Sequence, residues 1–120
     1  MSDPRPTIDT GAEPVVVGSR CASCGYPLAV PRPICPVCTG DLAPARFGPG
    51  GTVFAATVIR IPVGDLRPPY ALAYIDLDGG PRILARVSED GGDVAAPAVG
   101  TRVVLRGTSP LGDPLVEVAA

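Results

Sequence analysis

The sequence predicts a mainly β protein in two parts, a small cysteine-bearing unit followed by a five-stranded domain. Three observations carry that prediction. Val and Ile together number 21 against nine Leu, a bias toward side chains that fit a pleated sheet. Gly and Pro together number 31 of the 120 residues, which punctuates the chain with turns. All four cysteines lie between Cys21 and Cys38, as two C-x-x-C pairs separated by ten residues.

Residues 1–19 read as a flexible lead-in. Pro4, Pro6, Gly11 and Pro14 interrupt them, and the apolar residues follow neither a helical nor a strand period. Only Val15-Val16-Val17 suggests a short extended piece leading into the first cysteine. Residues 20–47 then form the cysteine unit and residues 48–120 the larger domain. Its strands are expected at 52–61, 70–77, 82–87, 101–106 and 115–118. Pro62 closes the first of these, and Pro68-Pro69 opens the second. A Gly- and Asp-rich stretch, 88–92, separates the third from the fourth, and Pro97 limits any helix over 93–98 to about one turn. Gly48-Pro49-Gly50-Gly51 precedes a strand rather than a helix, so it reads as a linker rather than a phosphate cradle.

The hairpin between the second and third strands can be placed in register. Ala71, Ala73, Ile75 and Leu77 share one face, as do Ile83, Ala85 and Val87. A three-residue loop, Asp78-Gly79-Gly80, sets Ile75 opposite Ile83 and Asp76 opposite Arg82, which keeps the apolar face whole. The other face then carries Tyr70, Leu72, Tyr74, Asp76, Arg82, Leu84 and Arg86. Aromatics interleaved with Arg fit either a solvated face with cross-strand pairs or a surface for an anion- or nucleotide-bearing ligand.

Composition excludes most enzyme mechanisms. The chain has no His, no Lys and no Trp, and all ten basic residues are Arg. No Ser–His or Cys–His pair can form, nor a His-ligated metal. Lysine Schiff bases and phosphate-loop lysines are excluded as well. Ser88 and Ser109 have no base to activate them. Asp76, Asp78, Glu89, Asp90 and Asp93 lie in or beside turns, where Asp is common without catalysis. No catalytic residue is therefore assigned, and no cofactor-binding residue beyond the cysteines. The net charge of −2 lacks the basic footprint of a dedicated nucleic-acid binder. No apolar run approaches the ~18 residues that suggest a membrane span, and 1–20 has no signal-peptide core. The chain reads as cytoplasmic, with thiols rather than disulfides.

Each C-x-x-C lets one tight turn aim two sulfurs at a point, and two such turns complete a tetrahedral thiolate shell. Cys21, Cys24, Cys35 and Cys38 are accordingly the expected ligands of one structural zinc ion. The same shell could hold iron. Gly25 suits the left-handed backbone of the first turn, while Thr39 stands at the matching place in the second, with Gly40 after it. The apolar content of 20–40 is too thin for a core, so the metal is expected to order this unit.

Together these residues resemble a known family, the two-part proteins in which a rubredoxin-like zinc ribbon precedes an acyl-CoA-associated OB-fold. The resemblance runs through Cys21-Ala22-Ser23-Cys24-Gly25, Pro31-Arg32, Cys35-Pro36-Val37-Cys38, Gly51-Thr52-Val53 with Thr57, Pro68-Pro69-Tyr70 and Val99-Gly100, and covers roughly residues 20–118. It implies an N-terminal zinc ribbon followed by a five-stranded OB-fold barrel. It also implies a noncatalytic partner of thiolase-superfamily or lipid-transfer-type thiolase proteins, one that helps hold or pass acyl-CoA. Arg side chains would suit the phosphates of a coenzyme A ester. Family members usually begin with a helix or helical hairpin, which residues 1–19 do not supply. Two other functions remain consistent with the residues: a single-stranded nucleic-acid binder, and an iron-loaded, rubredoxin-like electron carrier.

Overall fold

The computed structural model describes residues 5–62, 64, 67–88 and 94–119. Among them are nine strands and no helix: β1 (Thr7–Asp9), β2 (Val15–Cys21), β3 (Pro27–Leu28), β4 (Leu42–Phe47), β5 (Gly50–Ile59), β6 (Tyr70–Leu77), β7 (Arg82–Val87), β8 (Arg102–Thr108) and β9 (Pro114–Val118). Strands β1 to β4 form an N-terminal sheet around β2, which pairs with β4 on one side and with β1 and β3 on the other. Strands β5 to β9 close into a barrel in the order β5-β6-β7-β9-β8. The β7–β9 contact is parallel, and the others are antiparallel. This is the five-stranded OB-fold that the resemblance implies.

The β6–β7 hairpin has the expected register. Ile75 faces Ile83 and Asp76 faces Arg82. Leu77 N–H donates to Pro81 O at 3.2 Å, and Gly79 takes the left-handed position at φ 64°. Ala71, Ala73, Ile75, Leu77, Ile83, Ala85 and Val87 are buried together with Val53, Val103, Leu105 and Val116.

Three expectations change. Residues 7–9 are not a flexible lead-in: they form β1, which pairs antiparallel with the extended piece expected at Val15–Val17, with Ile8 opposite Val16, and that piece runs on as β2 to Cys21. Arg46 on β4 reaches Asp9 on β1 at 2.6 Å. The apolar triplet is consumed by a sheet, with Val16 fully buried in the barrel's own core cluster. Second, Tyr70 is only 2% exposed. It pairs with Ile59 at the start of β6, and the Arg86 guanidinium covers its ring at 5.3 Å. Third, residues 94–98 run without helix, while Asp93, Glu89 and Asp90 lie outside the described residues.

The carboxylates of the hairpin are occupied by arginines. Asp76 is bound by Arg82 at 2.7 Å, and Asp78 by Arg102 through two bonds of 2.6 and 2.7 Å. Arg102 also donates to Thr52 Oγ1. Each hydrogen-bonded guanidinium holds its carboxyl below the usual range. The contribution is thus present above about pH 4 and is lost as acid protonates the carboxyl. Both pairs are about half exposed, so solvent screening keeps each contribution small. Of the Gly48–Gly51 stretch read as a linker, only Gly48 and Pro49 connect β4 to β5, while Gly50 and Gly51 open β5 and pair with β8; Leu105 N–H donates to Pro49 O, which stitches the connection to β8.

The two parts share a core. Phe47, at the end of β4, lies in the same buried cluster as Ile75 and Leu105. Its ring packs on Gly80 so closely that an added Cβ would meet Phe47 side-chain carbons at 2.7–2.9 Å. The division drawn at residue 48 therefore does not coincide with a break in the packing.

Phe47→Ala should destabilise the whole chain by about 3–5 kcal/mol in urea unfolding, the usual cost of deleting a buried Phe. Gly80→Ala should destabilise through the clash. The double variant should cost less than the two single costs added, because the methyl group introduced on the hairpin then fills part of the space left by the ring. Strict additivity would show that the two residues do not meet.

Candidate metal centre

Two knuckles of the same build hold the sulfurs. In the first, Gly25 N–H donates to Cys21 O and Cys21 N–H to Tyr26 O, both at 3.0 Å. In the second, Thr39 N–H donates to Cys35 O at 2.9 Å and Cys35 N–H to Gly40 O at 3.0 Å. The offsets match residue for residue. Gly25 and Thr39 occupy equivalent places, and both have positive φ, 80° and 62°. Thr39 is the only described non-glycine residue with positive φ, so the irregularity expected there costs strain rather than shape.

Main-chain N–H groups point at the first sulfur of each knuckle. Ser23 and Cys24 donate to Cys21 Sγ, and Val37 donates to Cys35 Sγ, each at 3.4 Å. Between knuckles, Cys21 Sγ lies 3.4 Å from Cys38 Sγ, and Cys24 Sγ lies 3.6 Å from Cys35 Sγ. All four sulfurs fall within 4.8 Å of one another. A tetrahedron with metal–sulfur bonds of about 2.3 Å has edges of about 3.8 Å, so the cluster fits one ion with little adjustment. Gly40 keeps the site open: a Cβ there would approach Cys21 Sγ and Cys38 Sγ at 3.2 Å.

Crowding splits the thiol acidities. The Cys24 N–H, helped by the Ser23 N–H and neighbouring thiols, outweighs burial and brings Cys21 down to about 6. At Cys24 the Tyr26 N–H pulls down, but burial and the thiols of Cys38, Cys21 and Cys35 push it up to about 12. Cys38 is also raised: the Gly40 N–H opposes the shift, while the Cys21 thiol and burial drive it. Four sulfurs this close cannot all ionise unless a cation sits among them. The donor set and its N–H shell suit a thiophilic ion such as zinc.

Arg20 connects this centre to the barrel, a role the sequence reading missed. Its guanidinium donates to Gly25 O at 2.9 Å and to Gly79 O, and lies 5.4 Å from the centre of the Phe47 ring. The position beside a ligating cysteine was the only signal. A cleft of about 770 Å³ opens between β7, residues 26–30, and a further wall at Arg5, Pro6, Asp113 and Pro114.

The outer face of the barrel is partly self-satisfied. Arg82 stacks on Phe54 at 3.4 Å while holding Asp76, so its charge is already engaged. Phe54 and Tyr74 are each 48% exposed. Ser109 Oγ accepts from Asp113 N–H at 3.1 Å and braces a turn. No described helix is long and apolar enough to cross a membrane.

Two family models match consecutive parts of the chain. Residues 9–44 match the family model described as "ChsH2, rubredoxin-like zinc ribbon domain". A DUF35 domain-containing scaffold protein of Pyrococcus furiosus is 32% identical over 77 residues, which is 62% of this chain and 56% of that protein. The chain thus spans little more than half the length of that relative. A solved chain titled "Ltp2-ChsH2(DUF35) aldolase" superposes with a TM-score of 0.70 at 26% identity, over 88% of this chain and 86% of that one. Residues 45–108, more than half of the chain, match the model described as "ChsH2, C-terminal OB-fold domain", and the chain belongs to that family.

Proposed function

We propose that this chain is a noncatalytic accessory subunit in the cytoplasm, binding a thiolase-superfamily or lipid-transfer-type thiolase protein and helping to hold or pass its acyl-CoA. The observation that carries the reading is the likeness, over 88% of the chain, to a protein solved as part of an aldolase assembly. The composition supports it. A chain with no His and no Lys lacks the His-activated nucleophiles and amine bases common in acyl transfer, while its ten Arg offer guanidinium forks for coenzyme A phosphates.

In this reading Cys21, Cys24, Cys35 and Cys38 hold one structural zinc. Four thiolates fill the tetrahedral shell and leave no position for a substrate. What the ion supplies is order: it fixes the two knuckles and the exposed side chains of Ile34 and Val37 on the second one. The ribbon is then a presenting surface, and the barrel its base.

Expressed with the thiolase-like enzyme of its source organism, the chain should co-purify with it, and the enzyme should lose most of its acyl-CoA activity without it. An enzyme fully active alone, with no association, would end this reading. The purified chain should be colourless and contain one zinc. Cys21→Ser or Cys38→Ser should abolish stoichiometric zinc and release the partner, since metal binding in such small sites contributes on the order of 10–16 kcal/mol to folding. Retention of the partner by a zinc-free variant would show that the ribbon is not the contact.

A further inference from the structure

We propose that the outer edge of β7, residues 82–85, is a strand-addition site that takes an extended segment of the partner enzyme; this rests on the accessory-subunit reading. β7 pairs with β6 from Arg82 to Arg86, but on its other side it meets β9 only at Arg86 and Val87. The Leu77–Pro81 hydrogen bond sets the alternation along the hairpin. Ile83 and Ala85 exchange their main-chain bonds with β6, which turns the N–H and C=O of Arg82 and Leu84 outward. No described strand pairs with them.

That edge opens into the cleft facing residues 26–30. Ile83 and Ala85 line the cleft although their side chains are buried in the barrel, so what they present there is main chain. Outward donors and acceptors two residues apart match the repeat of an extended peptide, the chemistry of strand addition. The walls at 26–30, at Arg5 and Pro6, and at Asp113 and Pro114 make this a cleft rather than a flat edge, and a single extended segment is the occupant proposed.

The cleft also selects side chains. Leu84 is 46% exposed and, with Leu28 and Leu72, asks for an apolar residue. Arg86 rests on Tyr70 and meets no carboxylate among the described residues, whereas Arg82 is taken by Asp76. An incoming segment with alternating apolar residues and one Asp or Glu near Arg86 meets both demands.

Amide exchange, read residue by residue in the free chain and in its complex with the co-purified enzyme, tests this. In the free chain Arg82 and Leu84 should exchange fast and Ile83 and Ala85 slowly. In the complex Arg82 and Leu84 should slow at least tenfold. Leu84→Pro, which deletes an outward N–H that the barrel does not use, should weaken the complex at least tenfold while Ile83 and Ala85 stay protected. A complex in which Arg82 and Leu84 still exchange fast overturns the proposal and leaves the accessory reading intact. Slow exchange already in the free chain overturns it too, and concentration dependence would then identify a second copy as the occupant. If no enzyme co-purifies, both readings fall.

Discussion

A single strand joins the barrel to the metal centre. At one end of β2, Val16 is sealed in the barrel's core, and at the other Cys21 supplies a sulfur. Five residue steps separate them, roughly 17 Å of extended chain. β4 returns along the same path, from Leu42 opposite Cys21 to Phe47 opposite Val16. The sulfurs are therefore not on a tether. Their position relative to the barrel is set by a hydrogen-bonded two-stranded stalk with an apolar plug at its base.

Two sources of order act on this stalk from opposite ends. Apolar burial holds the base, through Val16, Phe47 and the glycine-floored contact with Gly80. At the tip, where no comparable core exists, four sulfurs within 4.8 Å of one another are placed for a metal that would supply the order. Arg20 bridges them: one guanidinium grips the knuckle at Gly25 and the hairpin at Gly79, over the Phe47 ring. The knuckles therefore have a defined orientation relative to the barrel.

Much of this was legible in the sequence because it followed from local rules. The C-x-x-C spacing brought four sulfurs together, and the apolar alternation of β6 and β7 set their register to the residue. What escaped reading depended on non-local pairing. β1 carries no clean alternation, since Asp9, Gly11 and Glu13 interrupt the segment, and it is a strand through its pairing with Val15–Val17 of β2. Tyr70 falls on the outward-facing set by parity, yet it is buried at the start of β6 with Arg86 over its ring. The open edge of β7 could not be foreseen, as it reflects how far β9 runs in parallel beside its neighbour.

Barrel-derived order ends, and metal-derived order begins, within β2 and β4. Residue-level amide exchange of the zinc-loaded and chelated chain measures that border directly. Chelation should strip protection from 21–41 and leave Val16, Val17, Arg46 and Phe47 as slow as the barrel strands. Loss of protection along all of β2 and β4, or unchanged protection of 21–41, would contradict it.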